Sequence, residues 1–101
     1  MQHRTIRYMP EAGLDMEELY EFIADRFKQP DTAARYFNGI LDTIDQLSYT
    51  GSSIAVSERE YLQHLYGPAA RTVVYKKMTV IYNVIGPVVL IRRVMASSLI
   101  R

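Results

Sequence analysis

The chain has no cysteine and no tryptophan among its 101 residues. Without thiols there is no disulfide scaffold, no thiolate zinc site and no cysteine nucleophile, a composition that suits a reducing cytoplasm. Histidine occurs twice, at His3 and His64, far apart and outside any His-x-x-x-His or Glu-x-x-His helix pattern. No metal site is expected from that spacing. The five glycines, at positions 13, 39, 51, 67 and 86, are scattered, so there is no glycine-rich phosphate loop. No serine sits in a nucleophile-elbow context, and no cofactor is expected. Long hydrophobic runs are also missing. The longest uncharged stretch, Met78–Ile91, spans 14 residues and is interrupted by Gly86-Pro87, whereas a membrane-spanning helix needs about 20. The opening residues, Met-Gln-His-Arg-Thr-Ile-Arg, lack the apolar core of a signal peptide. These features predict a cytoplasmic protein with no membrane partner.

What is present is charge, unevenly placed. The formal net charge is only +1. Met1–Leu65 carries every carboxylate and sums to −5, whereas Tyr66–Arg101 carries Arg71, Lys76, Lys77, Arg92, Arg93 and Arg101 with no carboxylate and sums to +6. Such a reversal points to a basic face for an anionic partner, either an acidic protein segment or nucleic acid. A basic sheet balanced by acidic helices of the same fold gives the same sums with no partner.

The length fits one domain, residues 1–101, since domains commonly run to about 100–150 residues. Thr5–Met9 alternates briefly and reads as a first strand that stops at Pro10. Pro10 and Glu11 suit a helix N-terminus. From Leu14 to Phe27, Leu19, Phe22, Ile23 and Phe27 recur at helical spacing, with Glu17, Glu18, Glu21 and Asp25 on the other face. A second helix is predicted from Asp31 to Ser48 on the stripe Ala33, Phe37, Ile40, Leu41, Ile44 and Leu47, with Gly51 as its stop. The short link makes the two helices an antiparallel hairpin. Gly51–Ala70 reads as an irregular connection with at most one short turn. Arg71–Tyr75, Met78–Ile85 and Val88–Met95 then read as a three-stranded antiparallel meander. The predicted fold is α+β: an N-terminal strand, and a two-helix hairpin packed on a small antiparallel sheet.

The chemistry-bearing residues are basic and aromatic. Alternation along a strand places Arg92 and Arg93 on opposite faces, one near the core beside a helix carboxylate and the other free on the open face. Arginine suits bidentate contact with carboxylate or phosphate, so Arg71 and one of this pair read equally as binding or structural groups. Tyr61, Tyr66, Tyr75 and Tyr82 fall in or beside the basic half, where tyrosine stacks on bases or anchors a protein interface. Tyr75 and Tyr82 read equally as half-buried strand residues. His64 is a candidate general base or a solvated loop histidine. The helix carboxylates read as a solvated face.

In order and spacing the chain resembles the RelE/ParE superfamily of bacterial type II toxins, the plasmid stabilisation toxins. The resemblance rests on the first helix, on Ala33-Ala34-Arg35-Tyr36-Phe37 opening the second, on Arg71-Thr-Val-Val-Tyr75, on Val80-Ile81-Tyr82-Asn83-Val84 and on Ile91-Arg92-Arg93-Val94. It implies a cognate antitoxin as partner, operator DNA reached only through that antitoxin, and one of two targets. ParE-like members inhibit DNA gyrase; RelE-like members cut mRNA on the ribosome. For the nuclease the candidate groups are Arg71, Arg92, Arg93, His64 and Tyr82. For antitoxin or target binding they are Arg71, Tyr75, Lys76, Lys77, Arg92, Arg93 and Arg101. The sequence departs from the nuclease pattern in its last residues: Ala96 stands where a histidine falls in many members, Ser98 and Leu99 replace arginines, and Thr79 stands where nucleases tend to carry a cation. RNA cleavage needs proton-transfer groups as well as cations, so the ParE-like reading is favoured. A non-toxic member acting as antitoxin-bound co-repressor is the remaining alternative.

Overall fold

The computed structural model describes residues 3–26 and 29–100. Phe27, the expected last residue of the first helical stripe, and Arg101, an expected binding cation, lie outside the described residues. In chain order the elements are β1 (Thr5–Tyr8), α1 (Pro10–Arg26), α2 (Pro30–Thr50), a 3-10 turn (Gly51–Ser53), α3 (Glu60–Tyr66), β2 (Arg71–Tyr75), β3 (Met78–Ile85), β4 (Val88–Ala96) and a second 3-10 turn (Ser97–Leu99).

Proline opens both long helices where its missing N–H costs nothing, and α1 has Glu11 in its first turn and Arg26 in its last, as the helix dipole favours. The buried face of α1 is Ala12, Met16, Leu19 and Ile23. This differs from the expected stripe at one position: Phe22 is exposed, with the Arg26 guanidinium 5.6 Å from its ring centre. In α2, Ile40, Ile44 and Leu47 are buried as their spacing predicts. Gly51 does not stop α2 through a left-handed turn. Its φ is −55°, and the chain tightens directly into the 3-10 turn.

The sheet order is β1-β4-β3-β2. β2–β3 and β3–β4 are antiparallel, as the short turns require. β1 adds parallel to the outer edge of β4, from Thr5 opposite Val88 to Tyr8 opposite Ile91, so the sheet is mixed rather than wholly antiparallel. The long return through the helices allows this, since a parallel pair needs a crossover and not a hairpin. α1 and α2 cover one face around a core that includes Ile23, Ile40, Ile44, Tyr82, Val89 and Ile91. Burying such side chains contributes about 1.5–3 kcal/mol each before conformational entropy opposes it.

The 51–70 segment is more ordered than predicted. Val56 bridges to Arg71, the Ser57 N–H donates to the Ala70 carbonyl at 2.8 Å, and the Gln63 side chain donates to the Ser57 carbonyl at 2.9 Å. α3 has only seven residues and a single buried one, Leu62, so no stripe announces it. Its last residue reaches the sheet face opposite the helical hairpin, where Asn83 Nδ2 donates to the Tyr66 carbonyl at 3.1 Å.

Candidate interaction site

The described cations of the C-terminal half, Arg71, Lys76, Lys77, Arg92 and Arg93, gather at three places on the sheet. The first is where β1 ends. Beyond Tyr8 and Ile91 the outer edge of β4 has no strand beside it. Asp15 from α1 fills this position: its Oδ2 accepts from the Val94 N–H at 2.9 Å and from Arg93 Nε at 2.7 Å, and its Oδ1 accepts from Arg93 Nη2 at 3.0 Å. This is a bidentate, charge-assisted pair that also satisfies a sheet-edge donor. The hydrogen bond to Asp15 pushes the Arg93 pKa further up, against the opposing effect of burial, with a smaller contribution from Tyr66. Arg93 is the arginine expected beside a helix carboxylate.

The other arginine is not free. Ile81 pairs with Arg93 and Tyr82 with Ile91, which leaves Arg92 as the extra residue of a β-bulge. A bulge breaks the period of two on which the opposite-faces expectation rests. Arg92 Nη1 donates to Asn83 Oδ1 at 3.1 Å, and its guanidinium lies 5.4 Å from the Tyr66 ring centre, a cation–π contact. Tyr66 thus stands beside both arginines. His64 is exposed on α3 and has no hydrogen-bond partner among the described residues.

The second place is the start of β2. Arg71 Nη1 donates to the Ser52 carbonyl at 2.9 Å and to the Ile54 carbonyl at 2.6 Å. Opposite it in register, Tyr82 is fully buried and donates its hydroxyl proton to the Gly51 carbonyl at 2.8 Å. Burial pushes the Tyr82 phenol up to about 12, with Arg71 pulling weakly the other way. Both side chains hold the turn after α2 against the sheet.

The third place is the β2–β3 tip. Lys76 takes a φ of +53°, in the left-handed region that non-glycine residues rarely occupy. Its Nζ lies 5.5 Å from the centres of both the Tyr36 and Tyr75 rings, which meet edge-to-face at 5.6 Å. The end of the Tyr75 ring lies so close to α2 that a Cβ at Gly39 would overlap it. Lys77 is exposed, and its carbonyl accepts from the Ser97 N–H at 2.8 Å. Tyr75, Lys76 and Lys77 therefore form one aromatic-basic knob, apart from Arg71 and from the Arg92–Arg93 pair.

Sequence reading missed Asp15, Asn83 and Tyr36 as partners of these groups. It also missed a groove of about 340 Å³ lined by Met16, Glu17, Tyr20, Glu21 and Phe37, in which Tyr20 and Phe37 meet edge-to-face at 5.4 Å. The aromatic pair joins residues of two helices, and one-dimensional spacing carries no signal for it. Among the described residues no group of three or more acidic or histidine side chains converges as a metal site would require, and no helix is long and apolar enough to cross a membrane.

No protein-family model matches the chain, and no curated protein does. Among solved structures, a chain of the chromosomal ParDE TA system from P. aeruginosa matches 93% of this chain and 96% of its own length, with a TM-score of 0.74 at 17% sequence identity. At that identity the likeness is one of fold. The mixed four-stranded sheet, with its helical hairpin and short N-terminal edge strand, is an α+β arrangement like that of this ParDE chain.

Proposed function

We propose that this protein is the toxin component of a type II toxin–antitoxin pair, neutralised by a cognate antitoxin and acting by binding DNA gyrase. The observation that carries the reading is the fold likeness to a chain of a ParDE TA system over nearly the full length of both chains. A binding role rather than RNA cleavage is supported by how the candidate catalytic groups are used. Arg71, Arg93 and Tyr82 are engaged in holding the fold together, and Tyr82 is a weak proton donor or acceptor at neutral pH. The exposed cations at the Tyr75–Lys76–Lys77 knob suit contact with an acidic protein surface. Operator DNA is reached only through the antitoxin.

Induced expression tests the reading. Growth should stop with a DNA-damage response while translation continues, and co-expression of the antitoxin should restore growth. Early loss of translation with cleaved transcripts would instead assign the protein to the mRNA-cutting branch. Continued growth would leave it as an antitoxin-bound co-repressor.

A further inference from the structure

At the end of β2 away from the lysine knob, two guanidinium groups converge on one serine. Arg4 is held just before β1, where its N–H donates to the Ser48 carbonyl at 2.8 Å and its Nε to the Gly86 carbonyl at 3.1 Å. Its Nη1 then reaches Ser52 Oγ at 3.3 Å. Arg71 Nη1 donates to the carbonyl of the same Ser52 at 2.9 Å, and its buried Nε has no acceptor. Among the described residues neither arginine has a carboxylate partner, the one ion pair being Arg93–Asp15. Arg4 thus reaches the hydroxyl of Ser52, which is exposed in the 3-10 turn, while Arg71 holds the carbonyl of the same residue. A phosphoryl group on this residue would bring an anion to two cations that have none among the described residues.

We propose that Ser52 is a phosphorylation site whose phosphoryl group is received by Arg4 and Arg71. In the transfer, Ser52 Oγ attacks the γ-phosphorus of a nucleoside triphosphate held by a serine kinase. The Oγ–P bond forms as the bond from that phosphorus to the β–γ bridging oxygen breaks. The nucleoside diphosphate leaves with the electron pair, and the hydroxyl proton passes to a base of the kinase. The product carries about two negative charges and three acceptor oxygens, which turns a 3.3 Å contact at the long end of hydrogen bonding into a charge-assisted one. Ser52 follows the C-terminus of α2, where the helix dipole disfavours an anion. The two arginines reverse that preference here. Ser53 is equally exposed but has no arginine contact, and so provides the internal control.

The inference stands on Arg4, Arg71 and Ser52 and does not depend on the gyrase reading. Its test is the full chain made with phosphoserine encoded at position 52 or at position 53, each titrated by phosphorus NMR. The second phosphate pKa at position 52 should fall about one pH unit below that at position 53, and Arg4→Gln should abolish most of the difference. Equal values at the two positions, or a value at 52 unmoved by Arg4→Gln, overturn the proposal. Arg4 is the residue to change because Arg71 also holds the fold. Saturable binding of inorganic phosphate that survives Ser52→Ala would make the arginines a free-anion site and overturn it as well. Mass mapping of the protein from its native cells, in growth and in arrest, should find phosphate on Ser52; its absence in both states overturns the proposal.

Discussion

Asp15 and Arg93 are joined by two hydrogen bonds across 78 residues of sequence, and the same carboxylate takes the Val94 N–H. One side chain of α1 therefore closes the sheet edge that β1 leaves uncovered and neutralises the arginine beside it. Asp15→Ala leaves a half-buried guanidinium and an edge N–H unpaired. We expect a loss of about 1–3 kcal/mol in urea unfolding, or several degrees in melting temperature. Arg93→Met should also destabilise, because it leaves the carboxylate, only 11% exposed, with the Val94 N–H alone to compensate its charge.

The alkaline limb of stability should carry the signature of Tyr82. Its phenol titrates at about 12 in the folded protein, against an ordinary value of 10.0. Above pH 10 the unfolded chain loses this proton while the folded chain keeps it, so stability is intact below pH 10 and falls as pH rises toward 12. The loss attributable to Tyr82 is about 2–3 kcal/mol. Tyr8 and Tyr36, also shifted upward by burial, add to it in the same direction. Tyr82→Phe should flatten this limb in denaturant titrations at successive pH values, at a cost of about 1 kcal/mol at pH 7 for the unpaired Gly51 carbonyl.

Gly39 and Tyr75 should behave as a coupled pair. Gly39→Ala forces a methyl group into the Tyr75 ring and should destabilise by about 1–3 kcal/mol. In the Tyr75→Ala background the same change should be neutral or slightly favourable, since alanine is the better helix former. Chemical unfolding of the two single variants and the double variant measures the coupling.

Lys76 separates stability from binding. Lys76→Gly relieves a left-handed backbone worth about 1 kcal/mol but loses cation–π contacts of about 0.5–1 kcal/mol. Thermal unfolding should change little. Association with the proposed antitoxin should slow, most clearly at low salt, because exposed charges act chiefly on encounter. Stopped-flow binding to the antitoxin checks this.

Much of the architecture was legible because it is periodic. The α2 stripe and the meander follow directly from spacings of 3.6 and 2 and from the two short turns. The features that escaped are those with no period. β1 itself was legible, but its parallel pairing was not, because it is set by a partner about 80 residues later. α3 buries only Leu62. The bulge at Arg92 cancels the parity on which the arginine assignment depends. At the site, the residue types were visible but their uses were not. Arg71 and Tyr82 read as candidate chemistry from sequence, yet in three dimensions each donates to backbone carbonyls of the turn after α2.

The most direct measurement is DNA gyrase supercoiling titrated with the purified protein, alone and with its antitoxin. A gyrase-binding toxin should abolish supercoiling near stoichiometric protein, and the antitoxin should restore it. Full supercoiling in stoichiometric excess without antitoxin, from folded protein, would contradict the proposal.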